Sequence, residues 1–289
     1  MTSEPKSHTL EVPGATLAYD VRESATSTAA TLLMIGSPMD ASGFASLAGH
    51  FQDRTVVTYD PRGIGRSRRT DGGAESTPEQ HGDDLHRLIT ALGGGPVDIF
   101  ASSGGAVNGL ALVARHPEQV RMLVAHEPPA AQVLPDREQA LGAVADIRQT
   151  YDRDGFGPAM AKFIAISSLR GPIPTDFADL PVPNPAGLGM PTEDDGSRDD
   201  VLFRQNLMTC THYQHDFEAL RAAPTRIVVG VGAESEGEMA HRAGVAVAER
   251  LGTKPVTFPS HHGGFLGGEF GYKGDPDAFA VTLRQVLEA

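Results

Sequence analysis

The chain has 289 residues, 40% of them hydrophobic and 21% charged, with a formal net charge of −13. That is enough chain for one sizeable core, as a single large α/β domain or as a domain with an insertion. The acidic balance leaves no basic stripe to neutralise phosphates, so nucleic acid is not an expected partner and an anionic membrane surface is disfavoured.

The opening MTSEPKSHTLEV carries no apolar core of leader-peptide length. No run of about 18 apolar residues follows it, so a cytoplasmic chain without a membrane span is expected. HTLEVPG and ATLAYDV then read as a hairpin of two strands. ATLLMIG (30–36) and RTVVTYD (54–60) are apolar, β-rich runs that stop at Gly, Pro or Asp. VDIFAS (97–102), VRMLVAH (120–126), TRIVVGVG (225–232) and KPVTFPS (254–260) repeat that style. Near-continuous apolar strands of this kind suit a parallel sheet covered on both faces.

Helices alternate with them. TPEQHGDDLHRLITALGGG opens with Thr77 as N-cap, Pro78 next and Gln80 closing a capping box. Its Leu85, Leu88, Ile89 and Leu92 make one apolar face. The last helix is capped by Asp275 before Pro276 and turns Phe279, Leu283, Val286 and Leu287 inward. Between His126 and Thr225 no clear strand is predicted. That interval reads as a helical stretch, a Pro- and Gly-rich middle (RGPIPTDFADLPVPNPAGLGMPTEDDGS), and a second helical stretch, RDDVLFRQNLMTCTHYQHDFEALRA. Met190, Phe203, Leu207, Met208 and Tyr213 there either line an apolar pocket or pack the core. The single cysteine, Cys210, fits a reducing compartment and reads as a small helical residue. CxxC and HExxH spacings do not occur, so neither a metal nor a cofactor is expected.

Two serines meet at the corner after VDIFAS. A strained strand-to-helix turn needs small flanks, as in G-x-S-x-G. Ala101 and Gly105 provide them if Ser103 is central, whereas centring on Ser102 puts Phe100 at a flank. On the pentad alone, a nucleophile and a plain serine N-cap are both open. Among the eleven histidines, His81, His86, His116 and His241 lie on predicted helices and are expected in solvent. His212 and His215 fall in the strandless interval, lining a pocket or exposed. FPSHHGGF (258–265) is different: it follows the last predicted strand, and its glycines let a loop turn sharply. His262 is the candidate base there, with His261 as second choice.

MIGSPMDASGF, YDPRGIGRS (59–67), ASSGG and HHGGF stand in the order and between the strands that make the chain resemble the α/β-hydrolase family. One departure is Ile35, where the family commonly has a histidine before Gly36-Ser37-Pro38. The resemblance implies an α/β-hydrolase fold: a mostly parallel, doubly wound, eight-stranded sheet from residues 1–127 and 224–289, with residues 128–223 as a helical cap. It implies a serine hydrolase using an acyl-enzyme on Ser103, with His262 as general base and the backbone N–H groups of Ser37 and Gly104 as the oxyanion hole. Such donors are worth ~3 kcal/mol each in barrier. The expected substrate is a small, largely apolar carboxylic ester, lactone or thioester. Carbon–carbon bond hydrolysis, cofactor-free perhydrolysis and a non-catalytic ligand-binding relative remain alternatives with the same residues.

The orienting acid departs from the family's commonest pattern. After the family's seventh strand a Gly-x-x-Asp turn is usual, but Gly232-Ala233-Glu234-Ser235 ends in serine. With Glu238, Ser235 reads as a capping box for the next helix. Some haloalkane dehalogenases instead place a Glu at the end of the sixth strand, which corresponds here to Glu127, 24 residues past Ser103 and followed by two prolines. Glu127 is the leading acid and Glu234 the alternative.

Overall fold

The computed structural model describes residues 4–25, 27–93, 95–181 and 184–289. The first three residues of the N-terminal reading, Gly94 behind the second helix, and residues 182 and 183 of the Pro-rich stretch lie outside the described residues.

Among the described residues, nine strands form one sheet: β1 (Lys6–Val12), β2 (Ala15–Arg22), β3 (Leu32–Ile35), β4 (Val56–Tyr59), β5 (Arg68–Arg69), β6 (Val97–Ser102), β7 (Val120–His126), β8 (Arg226–Gly232) and β9 (Val256–Phe258). The order is β1-β2-β4-β3-β6-β7-β8-β9. β1 and β2 form the antiparallel hairpin, and every pair from β4 onward is parallel. Eight strands on this path are the expected ones. The ninth, β5, is a two-residue addition pairing with β2, drawn in where Thr70 N donates to Gly14 O (2.9 Å).

The helices are α1 (Ala45–Gly49), α2 (Pro78–Ala91), α3 (Gly104–Arg115), α4 (Arg137–Asp154), α5 (Phe156–Ser167), α6 (Leu207–Thr211), α7 (Phe217–Ala222), α8 (Met239–Leu251) and α9 (Pro276–Glu288). Strand side chains alternate between faces. Leu33, Ile35, Ile99, Ala101, Leu123 and Ala125 pack with α2, α3 and α8, while Leu32, Met34, Phe100, Met122 and Val124 pack with α1 and α9. The sheet is therefore covered on both sides. The capping box of α2 and the Asp275 cap of α9 form as their sequences predict.

Among the described residues, the interval between β7 and β8 adds no strand to the sheet. Its first helical stretch is two helices, broken at Gly155, whose φ is +85°. Its last stretch is more fragmented than expected. A π-helical turn (Val201–Asn206), begun by the Asp200 carboxylate accepting from Leu202 N and Phe203 N, runs into α6. A break then precedes α7. Phe203 is fully buried among Tyr151, Phe156 and Phe163, and Leu207 is buried with it. These two are core residues of the interval, continuous with the apolar cluster under α2 and α3.

His81 corrects the expectation of a solvated ring. It lies one turn before Leu85, on the apolar stripe, and is fully buried. Burial pushes its pKa down to about 3. His86 and His116 are half-buried and stack on each other at 3.9 Å.

The YDPRGIGRS turn is built of ion pairs. Asp60 accepts from Ala41 N (3.0 Å) and from Arg66 N and Nε (2.8 Å each), tying the loop after β3 to the loop after β4. Arg62 grips Asp84 of α2 through Nε (2.7 Å) and Nη2 (2.6 Å) with both groups buried. Removing one partner of a buried pair strands the other charge and costs about 3–5 kcal/mol. Arg62→Met is therefore expected to lower the free energy of urea unfolding by about that much. Arg62→Met/Asp84→Leu should recover most of the loss. A single-variant loss below about 1 kcal/mol would mean the pair does not anchor the turn.

Candidate active site

Ser103 occupies the corner between β6 and α3 with φ 55° and ψ −127°, a strained backbone for a non-glycine residue. The corner is held where Ser103 N donates to His126 O (3.0 Å). Its neighbours must be small: a Cβ on Gly104 would lie 2.6 Å from Ser37 O, and one on Gly105 would lie 2.6 Å from Ile35 O. Phe100 points into the opposite face of the sheet, and Ser102 is buried. Ser103 is the serine of the pair that keeps partial exposure. The close approach of Gly104 to Ser37 brings together the two backbone positions expected to donate to an oxyanion.

Register places Ser102 beside His126, so Glu127 follows at the same carboxyl edge of the sheet. Glu127 has no exposed surface, and its N–H donates to Gly230 O (3.0 Å). Its Oε2 meets His262 Nδ1 at 2.6 Å. Its Oε1 accepts from Gly232 N (2.8 Å) and from Ser235 Oγ. Since the ionised carboxylate can only accept, His262 Nδ1 carries the proton and Nε2 is left with its lone pair. The His262 side chain is 40% exposed. Of the four described non-glycine residues with positive φ, Ser103 (55°), Glu127 (47°) and Ser260 (66°) lie on the three segments that deliver these groups.

Burial alone would raise the Glu127 carboxyl. The hydrogen bond and charge of His262, then His126 and the Ser235 hydroxyl, outweigh it and hold the pKa well below the usual range. Burial also opposes a charged His262 ring, yet the hydrogen bond and charge of Glu127, with Glu238 adding, raise its pKa above the ordinary value. His126, next in chain to Glu127, has neither ring nitrogen partnered among the described residues and packs against Phe258 and Phe279. Burial pushes its pKa down to about 4.

Other site candidates sit elsewhere. Glu234 is exposed, and its carboxylate accepts from Ser260 Oγ at 3.4 Å. His261 is turned away: its Nδ1 accepts from Gly263 N (3.1 Å) and its Nε2 donates to Lys273 O (3.3 Å). Ser235 does not form the expected capping box. α8 begins at Met239 with Glu238 as an N-cap lacking a side-chain bond, because the Ser235 hydroxyl is donated to Glu127. Cys210 is buried in α6, and burial pushes its thiol up to about 12.

Three sets of contacts had no signal in the sequence because the partners are far apart in the chain. Ser235 with Glu127 makes one. Asn206, whose Oδ1 accepts from Ser37 Oγ at 2.6 Å, makes another. The third is a clasp in which Gly171 N donates to Gly237 O (2.9 Å), Arg170 Nη2 to Glu234 O (2.7 Å), and Arg242 to Gly171 O (2.7 Å) and Asp136. Among the described residues no group of three His, Cys, Asp or Glu side chains is arranged to hold a metal, and no helix is long and apolar enough to cross a membrane.

A family model described as alpha/beta hydrolase fold matches residues 32–210. The chain is 33% identical over 264 residues to the uncharacterized hydrolase YraK of Bacillus subtilis (strain 168), covering 89% of each. Among solved structures it is similar to a thermophilic esterase from Thermogutta terrifontis (TM-score 0.67, 19% identity, 99% and 98% of the two chains). It is also similar to the N-acyl homoserine lactonase AidH (TM-score 0.62, 17% identity, 99% and 97%). The chain belongs to the α/β-hydrolase family. It is a hydrolase of that family.

The Glu127–His262 pair has a signature in stability against pH. The depressed Glu127 contributes above its unfolded value of 4.5 and loses that contribution as pH falls through its folded value. The raised His262 contributes fully below 6.5 and loses it as pH rises through its folded value. Both contributions are present between pH 4.5 and 6.5. The stability advantage of the native chain over Glu127→Gln, read from urea midpoints, should peak in that window. An advantage that keeps growing above pH 6.5 would contradict the pairing.

Proposed function

We propose that the chain is a serine hydrolase that cleaves an ester-like bond through an acyl-enzyme on Ser103, with His262 as general base and Glu127 as its orienting acid. The observation that carries this reading is the His262 ring, fixed by Glu127 in the Nδ1–H tautomer at the same sheet edge as the strained Ser103 corner. His262 Nε2 takes the hydroxyl proton as Ser103 Oγ bonds to the substrate carbonyl carbon. The tetrahedral oxyanion is met by the N–H groups of Ser37 and Gly104. Collapse breaks the bond to the leaving alkoxide or thiolate, which receives the proton from His262. Water, deprotonated by the same ring, then releases the acid and restores Ser103. Residues 128–223 serve as the cap over this edge. The esterase and lactonase among similar structures support carboxylic esters and lactones as the substrate class.

A fluorophosphonate probe should label the native protein stoichiometrically, and Ser103→Ala should lose both labelling and hydrolysis while keeping its melting temperature. Undiminished labelling of Ser103→Ala would retire Ser103 as the nucleophile.

Only the neutral ring accepts the serine proton, so the rate of acylation should rise with pH through a value above 6.5. Glu127→Gln should lower that limb and cut the rate by about 10²–10⁴. Glu234→Gln should leave both unchanged. A large loss in Glu234→Gln beside a normal Glu127→Gln would move the acid to the loop after β8.

A further inference from the structure

We propose that Asn206 is a positioning residue of the oxyanion hole, reaching it from the interval between β7 and β8 through the Ser37 hydroxyl. This rests on the serine-hydrolase reading above. Asn206 closes the π-helical turn and is buried, as is Ser37. Its Nδ2 donates to Val201 O at 3.0 Å, and its Oδ1 accepts from Ser37 Oγ at 2.6 Å. A carbonyl can only accept, so the bond to Val201 O fixes which way round the amide lies. Oδ1 must then face Ser37, and the Ser37 hydroxyl proton must point at Asn206. That pins the Ser37 side chain, and with it the backbone whose N–H is assigned to the hole.

The support for this strut is built on both sides. Arg148 of α4 holds the carbonyls of Phe203 (3.1 Å) and Arg204 (3.4 Å). Gln205 O accepts from Ser76 N (3.2 Å), just ahead of α2. One turn beyond Asn206, Cys210 Sγ lies 3.2 Å from where a Cβ on Gly104 would be. A single short segment thus backs both N–H positions assigned to the hole. The extra residue of a π turn rotates the side chains that follow it, a feature frequent at functional sites. In this chain it carries Asn206 to Ser37 and Cys210 to Gly104.

A strut that only orients transition-state donors affects the bond-making step and not ground-state binding. The test is saturation kinetics of phosphonylation by a fluorophosphonate probe. A second readout is binding of phenylboronic acid, whose tetrahedral adduct places an oxygen in the hole. In Asn206→Ala the limiting inactivation rate should fall about 10–100-fold with the half-saturation concentration nearly unchanged. Phenylboronic acid affinity should fall in parallel. Asn206→Ala should add nothing in a Ser37→Ala background. If Asn206→Ala does not fold, Ser37→Ala alone removes the other end of the bond, leaves the N–H in place, and should show the same loss. An unchanged limiting rate in Asn206→Ala or Ser37→Ala overturns the proposal, as does a loss confined to half-saturation. Failure of the native protein to be labelled at Ser103 overturns the reading beneath it instead.

Discussion

A carboxylate with no exposed surface must be paired by whatever folds around it, because an uncompensated buried charge costs several kcal/mol. Glu127 is that group, and the carboxyl edge of the sheet is arranged about it. Its partners come from Gly232 at the end of β8, Ser235 just beyond, and His262 in the loop after β9. A residue before proline ordinarily takes an extended backbone. Glu127 precedes Pro128 at φ 47°, a strain tolerated because its side chain and its N–H are both committed. The parallel strand order makes this possible, since β7, β8 and β9 are neighbours whose carboxyl ends open on one side.

The interval between β7 and β8 is fastened to that edge at two places with different chemistry. The clasp of Arg170, Gly171 and Arg242 lies over the loop that carries Ser235, so the segment after α5 closes over the carboxylate's support. The Asn206 contact reaches the loop after β3 on the other side of Ser103. The apolar cluster running from α2 and α3 into α4 and Phe203 makes the attachment continuous, not hinged at a single point.

The sheet was legible in the sequence because a strand buried on both faces leaves a run such as VDIFAS or VRMLVAH that few other structures tolerate. The corner was legible for a similar reason: where β6 turns into α3, a Cβ on Gly104 or Gly105 would meet the backbone at the end of β3 and in the loop after it. The carboxylate partner of His262 was legible as a choice of two, since Glu127 and Glu234 both follow strand ends, and only folding decides which meets the ring. Ser235 was misread because a serine three residues before a glutamate is a sound local capping signal; its actual partner lies 108 residues away. His81 was misread because its place on the α2 stripe was outweighed by its polarity. Asn206 could not be read at all, since nothing local distinguishes a π turn from an ordinary helix.

The corner at Ser103 also limits what this scaffold can become. At φ 55° and ψ −127° a β-branched side chain meets its own backbone, so threonine is a poor substitute for serine even though it carries the same hydroxyl. Aspartate and cysteine have a single substituent on Cβ, and alanine has none, so all three enter at lower cost. The polar groups that can replace the hydroxyl at this edge are therefore ones such as a carboxylate or a thiolate attached at the same angle. A change of one residue would exchange the group presented at this corner while β6, α3 and the loops around them stay where they are.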